Sequence, residues 1–199
     1  MDPLIQLYLA STSPRRQALL QQVGYVFDTL AIDVDETPVV NEKAADFVSR
    51  MALEKARAGW RHAQRTDLLP VLGSDTVVVL DDDIFGKPQN REHAVSMLGQ
   101  LSARCHQVLT AVALKQDTYE TVRLNTSRVC FRQLTRTEIE SYWQTGEPEG
   151  KAGAYAIQGR AALFIQYMEG SYSSVMGLPL CETGELLAEM GVLPVAGLE

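Results

Sequence analysis

Residues 11–16, Ser-Thr-Ser-Pro-Arg-Arg, place hydroxyls and two guanidiniums between a short apolar run and a helical pattern. Ser13 suits the N-cap position and Pro14 the first helical position, so the free backbone N–H groups of the helix would face this turn. Such a composition favours phosphate binding. The segment lacks the glycines and lysine of a Walker A loop and the GxGxxG of a dinucleotide fold. A phosphate site and an ordinary capped helix start both remain open on these residues alone.

A charged residue interrupts the most apolar stretch of the chain. The run over 69–80, LPVLGSDTVVVL, predicts a strand buried on both faces, with Asp75 in its middle and Thr76 beside it. Burying a carboxylate without a partner is costly. Asp75 is therefore predicted to act as a metal ligand or general base at the edge of a cleft. The alternative is a structural aspartate that caps a turn or pairs with a core arginine.

A second group of carboxylates follows the second predicted strand. Asp33, Asp35 and Glu36 lie there, and one of them could join Asp75 in holding Mg²⁺, which prefers carboxylate, water and phosphate oxygens. A solvated acidic loop is the alternative interpretation of these three residues.

Three further polar side chains could contact a phosphorylated ligand. Lys55, in a predicted helix, and Lys87, after a predicted strand, could each offer a positive charge to a triphosphate, although surface lysines are common. In the segment 151–159, KAGAYAIQG, small residues permit close backbone approach, and the amide of Gln158 could read the edge of a base. A tightly packed loop would explain the same segment.

Alternating strands and helices would position these residues. Apolar periodicity and turn signals predict strands over 4–10, 25–32, 69–80, 107–114, 120–131 and 163–168, with a short one ending at Phe85. Helices are predicted over 15–23, 44–63, 91–101, from the capping-box residue 135 through 143, and over 180–190. We expect an α/β fold with a mixed sheet and flanking helices, in one domain, 1–199, of two lobes around a cleft. Residues 198–199 match a common vector remnant.

Composition excludes several functional classes. The chain has 199 residues, 46% of them hydrophobic, and a formal net charge of −7 with a pI near 5.0. This acidic balance argues against a broad surface for nucleic acid. No apolar run reaches the roughly 18 residues that span a bilayer, and the N-terminal segment does not resemble a signal peptide, so we expect a cytoplasmic protein without a membrane partner.

Cysteine and histidine patterns point to neither zinc nor serine-hydrolase chemistry. Cys105, Cys130 and Cys181 form no CxxC pair and are predicted to be buried free thiols. The three histidines form no HxxxH or HExxH pattern, and there is no GxSxG segment.

Taken in order, six short motifs resemble the Maf family: SxSPRR at 11–16, EKA at 54–56, SDT at 74–76, KP at 87–88, KAGAYAIQG at 151–159 and GLP at 177–179. The resemblance implies a fold like that of the inosine-triphosphate pyrophosphatases, usually as a homodimer. It also implies hydrolysis of a nucleoside triphosphate to the monophosphate and pyrophosphate, with Mg²⁺, Mn²⁺ or Co²⁺. A nucleotide-binding regulator of septum formation, acting through a protein partner, is the alternative that the resemblance leaves open.

The resemblance also assigns roles to individual residues. Asp75 falls on the position of the catalytic base, and Glu36 on that of the glutamate which would hold the metal with it. The positions that contact phosphate are matched by Ser11, Arg16, Lys55 and Lys87. Three positions that set substrate choice are matched by Arg15, Thr76 and Gln158, the combination of the members that look like dTTP/UTP pyrophosphatases.

Overall fold

The fold is built on a mixed sheet, seen in a computed structural model that describes residues 5–62 and 68–195. Its strands are β1 Leu7–Leu9, β2 Phe27–Thr29, β3 Val71–Leu80, β4 Asp83–Phe85, β5 Cys105–Gln116, β6 Tyr119–Phe131 and β7 Ile165–Glu169. They lie in the order β2-β1-β3-β5-β6-β7, and β4 pairs with β3. Strand β1 is parallel to β2 and β3, whereas β4 is antiparallel to β3 and β7 to β6. The predicted mixed α/β architecture is confirmed.

Helices flank the sheet, and five of those described lie where the sequence predicts a helix. The helices are α1 Pro14–Gln22, α2 Ala44–His62, α3 Arg91–Leu101, α4 Arg136–Trp143, α5 Tyr172–Met176 and α6 Leu180–Glu189, with 3-10 helices over Ala152–Ala154 and Arg160–Phe164. Polar side chains define two helix starts: Asn90 accepts from the backbone N–H of His93, and Thr135 forms the predicted capping box with Glu138. The short helix α5 and the 3-10 turn at 160–164 were not predicted, because each spans too few residues to establish a period.

By its internal contacts the chain divides into two compact units. Within the described residues, the first contains 5–62, 68–75, 110–125 and 177–195, and the second contains 76–109 and 126–176. The prediction of one domain with two lobes around a cleft stays a prediction, and residues 198–199 lie outside the described part of the chain.

In the first unit, α2 lies directly against β3. A Cβ added at Gly73 would be 2.6 Å from the backbone nitrogen of Ala56, and one added at Gly59 would be 2.8 Å from a methyl carbon of Val71. Both distances are far inside van der Waals contact, so two glycines permit the close approach of helix and strand. This approach brings Lys55, on α2, beside Asp75, on β3.

The second unit has its own hydrophobic core, centred on aromatic residues. Phe131 and Tyr155 meet edge to face with ring centroids 4.9 Å apart, and Tyr142 contacts Phe164 in the same way at 5.1 Å. His106 lies in this core, 2% exposed, with Nε2 2.9 Å from the Tyr155 hydroxyl. Burial lowers the pKa of His106 to about 4, so the ring is neutral at physiological pH.

The prediction of three buried free thiols was wrong. Cys105 and Cys130 form a disulfide between the neighbouring strands β5 and β6, with their Cα atoms 3.9 Å apart, and Cys181 is exposed. Spacing alone could not reveal this pair, because 25 residues separate the two cysteines and only the β5–β6 pairing brings them together.

None of the helices in the described ranges is long and apolar enough to span a membrane. The strand predicted over 25–32 is shorter than expected, because only Phe27–Thr29 pairs with β1. Leu4 and Ala63, at the ends of a predicted strand and a predicted helix, lie outside the described residues.

Candidate active site

Lys55 joins the two carboxylates that the sequence singled out. Its ammonium donates to Asp75 Oδ1 at 2.6 Å and to Glu36 Oε1 at 2.8 Å. The Lys55 and Asp75 side chains are only 11% and 12% exposed, whereas that of Glu36 is 43% exposed. Lys55 therefore is not a surface lysine, and Asp75 has a buried cationic partner, which is the requirement for keeping its charge inside a strand.

The turn between β1 and α1 lies in the same unit and presents Arg16 toward these carboxylates. Arg16 Nε donates to the Gly177 carbonyl at 2.7 Å, and its Nη1 lies 3.4 Å from Ser11 Oγ. Burial lowers the pKa of Arg16, while the negative charges of Asp75 and Glu36 act in the opposite direction. The negative charges of both carboxylates therefore stabilise the charged form of the guanidinium.

The start of α1 differs in one detail from the prediction. Ser13 occupies the N-cap position and Pro14 opens the helix, as expected, but within the described residues the Ser13 side chain makes no capping hydrogen bond. Instead, Ser11 Oγ accepts from the Ser13 backbone N–H at 3.2 Å. Ser11 thus shapes the turn that presents Arg16. Arg15 follows Pro14, is half-buried, and has its pKa lowered by burial.

Gly177 and Ser74 support the site and were not assigned a role from the sequence. The fully buried Ser74 hydroxyl lies 2.9 Å from the Ala111 carbonyl and 3.0 Å from that of Gly177, which also accepts from Arg16. Gly177 has φ of 115°, a conformation that favours glycine. The available signals were the GLP motif at 177–179 for Gly177 and the SDT motif at 74–76 for Ser74.

The acidic loop after β2 contributes Glu36 to the cluster. Asp35 instead accepts from the Thr37 backbone N–H at 2.9 Å. Hydrogen bonds from the Thr37 side chain and from this backbone N–H lower the pKa of Asp35. Asp33 is exposed. Glu36 is therefore the member of this acidic group that the structure brings to Lys55.

Three of the candidate residues belong to the second unit. Thr76 follows Asp75 along β3 and is half-buried, Lys87 is exposed just after β4, and Gln158 is exposed in the turn that precedes the 160–164 helix. The first unit therefore contains the other six candidate residues, Ser11, Arg15, Arg16, Glu36, Lys55 and Asp75.

The carboxylates of Glu36 and Asp75 determine which kind of metal ion could bind at this site. Within the described residues, no group of three or more His, Cys, Asp and Glu side chains converges. Glu36 and Asp75 do converge, since both contact the same ammonium nitrogen. Mg²⁺ is usually held by one or two carboxylates together with water and substrate phosphates, so this donor set fits a cation that binds with a phosphate ligand rather than one enclosed by protein alone.

Comparison with known proteins agrees with these features. A family model described as Maf-like protein matches residues 6–190. A dTTP/UTP pyrophosphatase from Alkalilimnicola ehrlichii is 54% identical over 94% of this chain and 93% of its own length. Proteins of the same name from Pasteurella multocida and Methylococcus capsulatus are each 50% identical, over 94% of this chain and over 96% and 92% of their own lengths. The chain belongs to the Maf-like protein family.

Proposed function

We propose that this protein is a nucleoside-triphosphate pyrophosphatase that hydrolyses dTTP and UTP to the monophosphate and pyrophosphate. The observation that carries the proposal is the buried Lys55 ammonium between Glu36 and Asp75, in the same unit as the Arg16 guanidinium. Carboxylates for proton transfer and cations for phosphate oxygens are the groups that phosphoanhydride hydrolysis requires. The substrate follows from the relatives at 50–54% identity, which are named dTTP/UTP pyrophosphatases.

Asp75 is proposed as the general base. Its Oδ1 accepts from Lys55, which fixes the orientation of the carboxylate. An ionised carboxylate carries further acceptor sites, so Asp75 can also accept a hydrogen bond from the attacking water and take its proton. Arg16, held by the Gly177 carbonyl, would stabilise negative charge on the pyrophosphate, and Lys55 and Lys87 would add to it.

Glu36 and Asp75 are proposed to hold a divalent cation, Mg²⁺, Mn²⁺ or Co²⁺, together with phosphate oxygens of the substrate. When bound, this cation would polarise the phosphoanhydride as a Lewis acid. Lys55 already holds the two carboxylates close together, so it reduces the rearrangement that cation binding needs.

The pyrimidine preference is assigned to Arg15, Thr76 and Gln158. The exposed amide of Gln158 would donate to and accept from the O4/N3 edge of uracil or thymine. Arg15 and Thr76 would limit the space available to a larger purine.

We further propose a homodimer in the cytoplasm, where nucleoside triphosphates are available. The disulfide between Cys105 and Cys130 argues against a cytoplasmic location, because disulfides are rare in cytosolic proteins. Alkylation in cell lysates made without reductant labels free thiols but not disulfide sulfurs, so it tests the location. Labelling of Cys105 and Cys130 would support a cytoplasmic location, and absence of labelling would contradict it. Sedimentation would measure the oligomeric state.

The function is tested by measuring pyrophosphate release from a panel of nucleoside triphosphates with Mg²⁺. We expect dTTP and UTP to be the preferred substrates, and preference for a purine nucleotide would contradict the assignment. Asp75→Asn should reduce turnover by about 10²–10⁴-fold with an unchanged circular dichroism spectrum. Asp28→Asn, at an exposed position on β2, is the matched control and should retain activity. Tight nucleotide binding without pyrophosphate release would identify a nucleotide-binding regulator instead.

A further inference from the structure

The carboxylate of Glu147 lies at the centre of a hydrogen-bond network around the turn that carries Gln158. Glu147 Oε2 accepts from the backbone N–H of Arg160 at 2.9 Å. Its Oε1 accepts from the backbone N–H of Ala161 at 3.3 Å and from the Tyr142 hydroxyl at 2.6 Å. One carboxylate therefore fastens the chain just after Gln158 and also holds a tyrosine of α4.

Tyr142 extends the same network to the other side of Gln158. Its oxygen accepts from the Ala156 backbone N–H at 3.2 Å while its proton is donated to Glu147. The turn closes with a bond from the Gly159 N–H to the Ala156 carbonyl at 3.0 Å. The backbone is thus fastened on both sides of Gln158, directly by Glu147 and through Tyr142, while Gln158 itself is exposed.

The position of Gly159 shows how closely the carboxylate approaches the turn. A Cβ at residue 159 would overlap the carboxylate carbon and both oxygens of Glu147. Only glycine leaves room for Glu147 to reach the two backbone N–H groups that follow. The glycine and the glutamate are therefore parts of one arrangement.

The charge states of the pair suit these roles. Burial alone would raise the pKa of Glu147, but the hydrogen bonds from Tyr142, Arg160 and Ala161 outweigh it and the pKa is lowered. The pKa of Tyr142 is raised, by burial and by the Glu147 carboxylate. At neutral pH Glu147 is therefore an acceptor and Tyr142 a donor, as the network requires.

We propose that Glu147 is a positioning residue for nucleotide selectivity: it holds the 156–161 turn in the conformation that presents the Gln158 amide to the base. The inference rests on the proposed function, because it assigns a cause to the base preference of that reaction. Glu147 acts through Gln158 and takes no part in the proposed chemical step.

Glu147→Gln tests this role with little change in volume. A glutamine places an amide group where one oxygen accepted hydrogen bonds, so at least one donor of the turn loses its acceptor. We expect the ratio of kcat/KM for UTP over CTP to fall by about tenfold or more, mainly through KM for UTP, since one such bond is worth that much discrimination. Glu149→Gln, the same change at an exposed position two residues away, should leave the ratio unchanged.

Combining Glu147→Gln with a second substitution distinguishes a positioning role from a general structural one. In Gln158→Ala, which lacks the amide, adding Glu147→Gln should change the UTP/CTP ratio no further. Amide hydrogen exchange at residues 156, 160 and 161 should accelerate in Glu147→Gln, a readout that does not depend on activity. If Glu147→Gln proves poorly folded, Tyr142→Phe keeps the buried ring and removes the hydroxyl link to Ala156, and should lower the ratio in the same way.

The outcomes distinguish this inference from the proposed function. A wild-type enzyme that prefers UTP, combined with a Glu147→Gln variant of unchanged UTP/CTP ratio, would overturn the inference alone. An effect of Glu147→Gln that persists in full without the Gln158 amide would also overturn it. A wild-type protein that releases no pyrophosphate from any triphosphate would overturn both.

Discussion

Replacing Lys55 by methionine removes the ammonium between Glu36 and Asp75 and keeps an unbranched side chain of similar length. Asp75, with a side chain only 12% exposed, would then be a buried carboxylate without its cation. Because the contact to Asp75 is the shorter and the more buried of the two, the loss of stability should come mainly from it.

The size of this effect follows from the burial of each contact. Removing one partner of a buried ion pair costs about 3–5 kcal/mol. The contact with Glu36, whose side chain is 43% exposed, adds at most about 1 kcal/mol. We take the lower end of the buried range, because Asp75 keeps some contact with water, and expect Lys55→Met to lower the free energy of unfolding by about 3 kcal/mol. For a chain of this size that corresponds to a decrease in Tm of about 6–12 °C.

The assay is thermal and urea unfolding of the wild type, Lys55→Met, Asp75→Asn and the double variant. The two substitutions should be strongly non-additive, with a coupling energy of about 2–3 kcal/mol. Lys43→Met, at an exposed lysine before α2, is the control and should lie within about 0.5 kcal/mol of the wild type. Mg²⁺ should restore part of the stability of Lys55→Met, since its charge would replace that of the ammonium beside both carboxylates. A coupling energy below about 0.5 kcal/mol would refute the ion pair as a stabilising contact.

Two further predictions concern packing and pH. Gly73→Ala should destabilise the protein by more than about 2 kcal/mol, since the added Cβ would lie 2.6 Å from the Ala56 nitrogen. Gly99→Ala, in α3, is the control: the added Cβ meets nothing within 4 Å and should stabilise the protein by up to about 1 kcal/mol. Equal effects of the two substitutions in urea unfolding would contradict the packing of α2 on β3. Burial lowers the pKa of His106 to about 4. The contribution of the neutral ring to the free energy of unfolding is therefore present above pH 6.5 and is lost as the pH falls from 6.5 toward 4. That contribution is about 3 kcal/mol, and an unfolding free energy with the same pH dependence in His106→Gln would refute it.

Local patterns were sufficient wherever the structure depends on neighbours along the chain. Helix α3 begins and ends at the predicted residues, because Asn90 caps its start and its buried residues recur with the helical period. The capping box at Thr135 was predicted for the same reason. The burial of β3 around Asp75 followed from its continuous apolar run. Among the short elements, β2 was predicted too long and α5 was missed, because a segment of three to five residues shows no period.

The sequence by itself determined which residues are available for chemistry: an arginine-rich turn at a helix start, a carboxylate within a buried strand, and an amide in a glycine-rich loop. Only the tertiary structure decided which of them meet. Lys55 lies 20 residues from Asp75 and Arg16 lies 161 residues from Gly177, and no local pattern encodes either contact. The same holds for the disulfide and for Glu147. Periodicity and capping act within a few residues, whereas contacts between distant side chains exist only after the elements have packed, and at Lys55 that packing depends on the absence of a Cβ at Gly73.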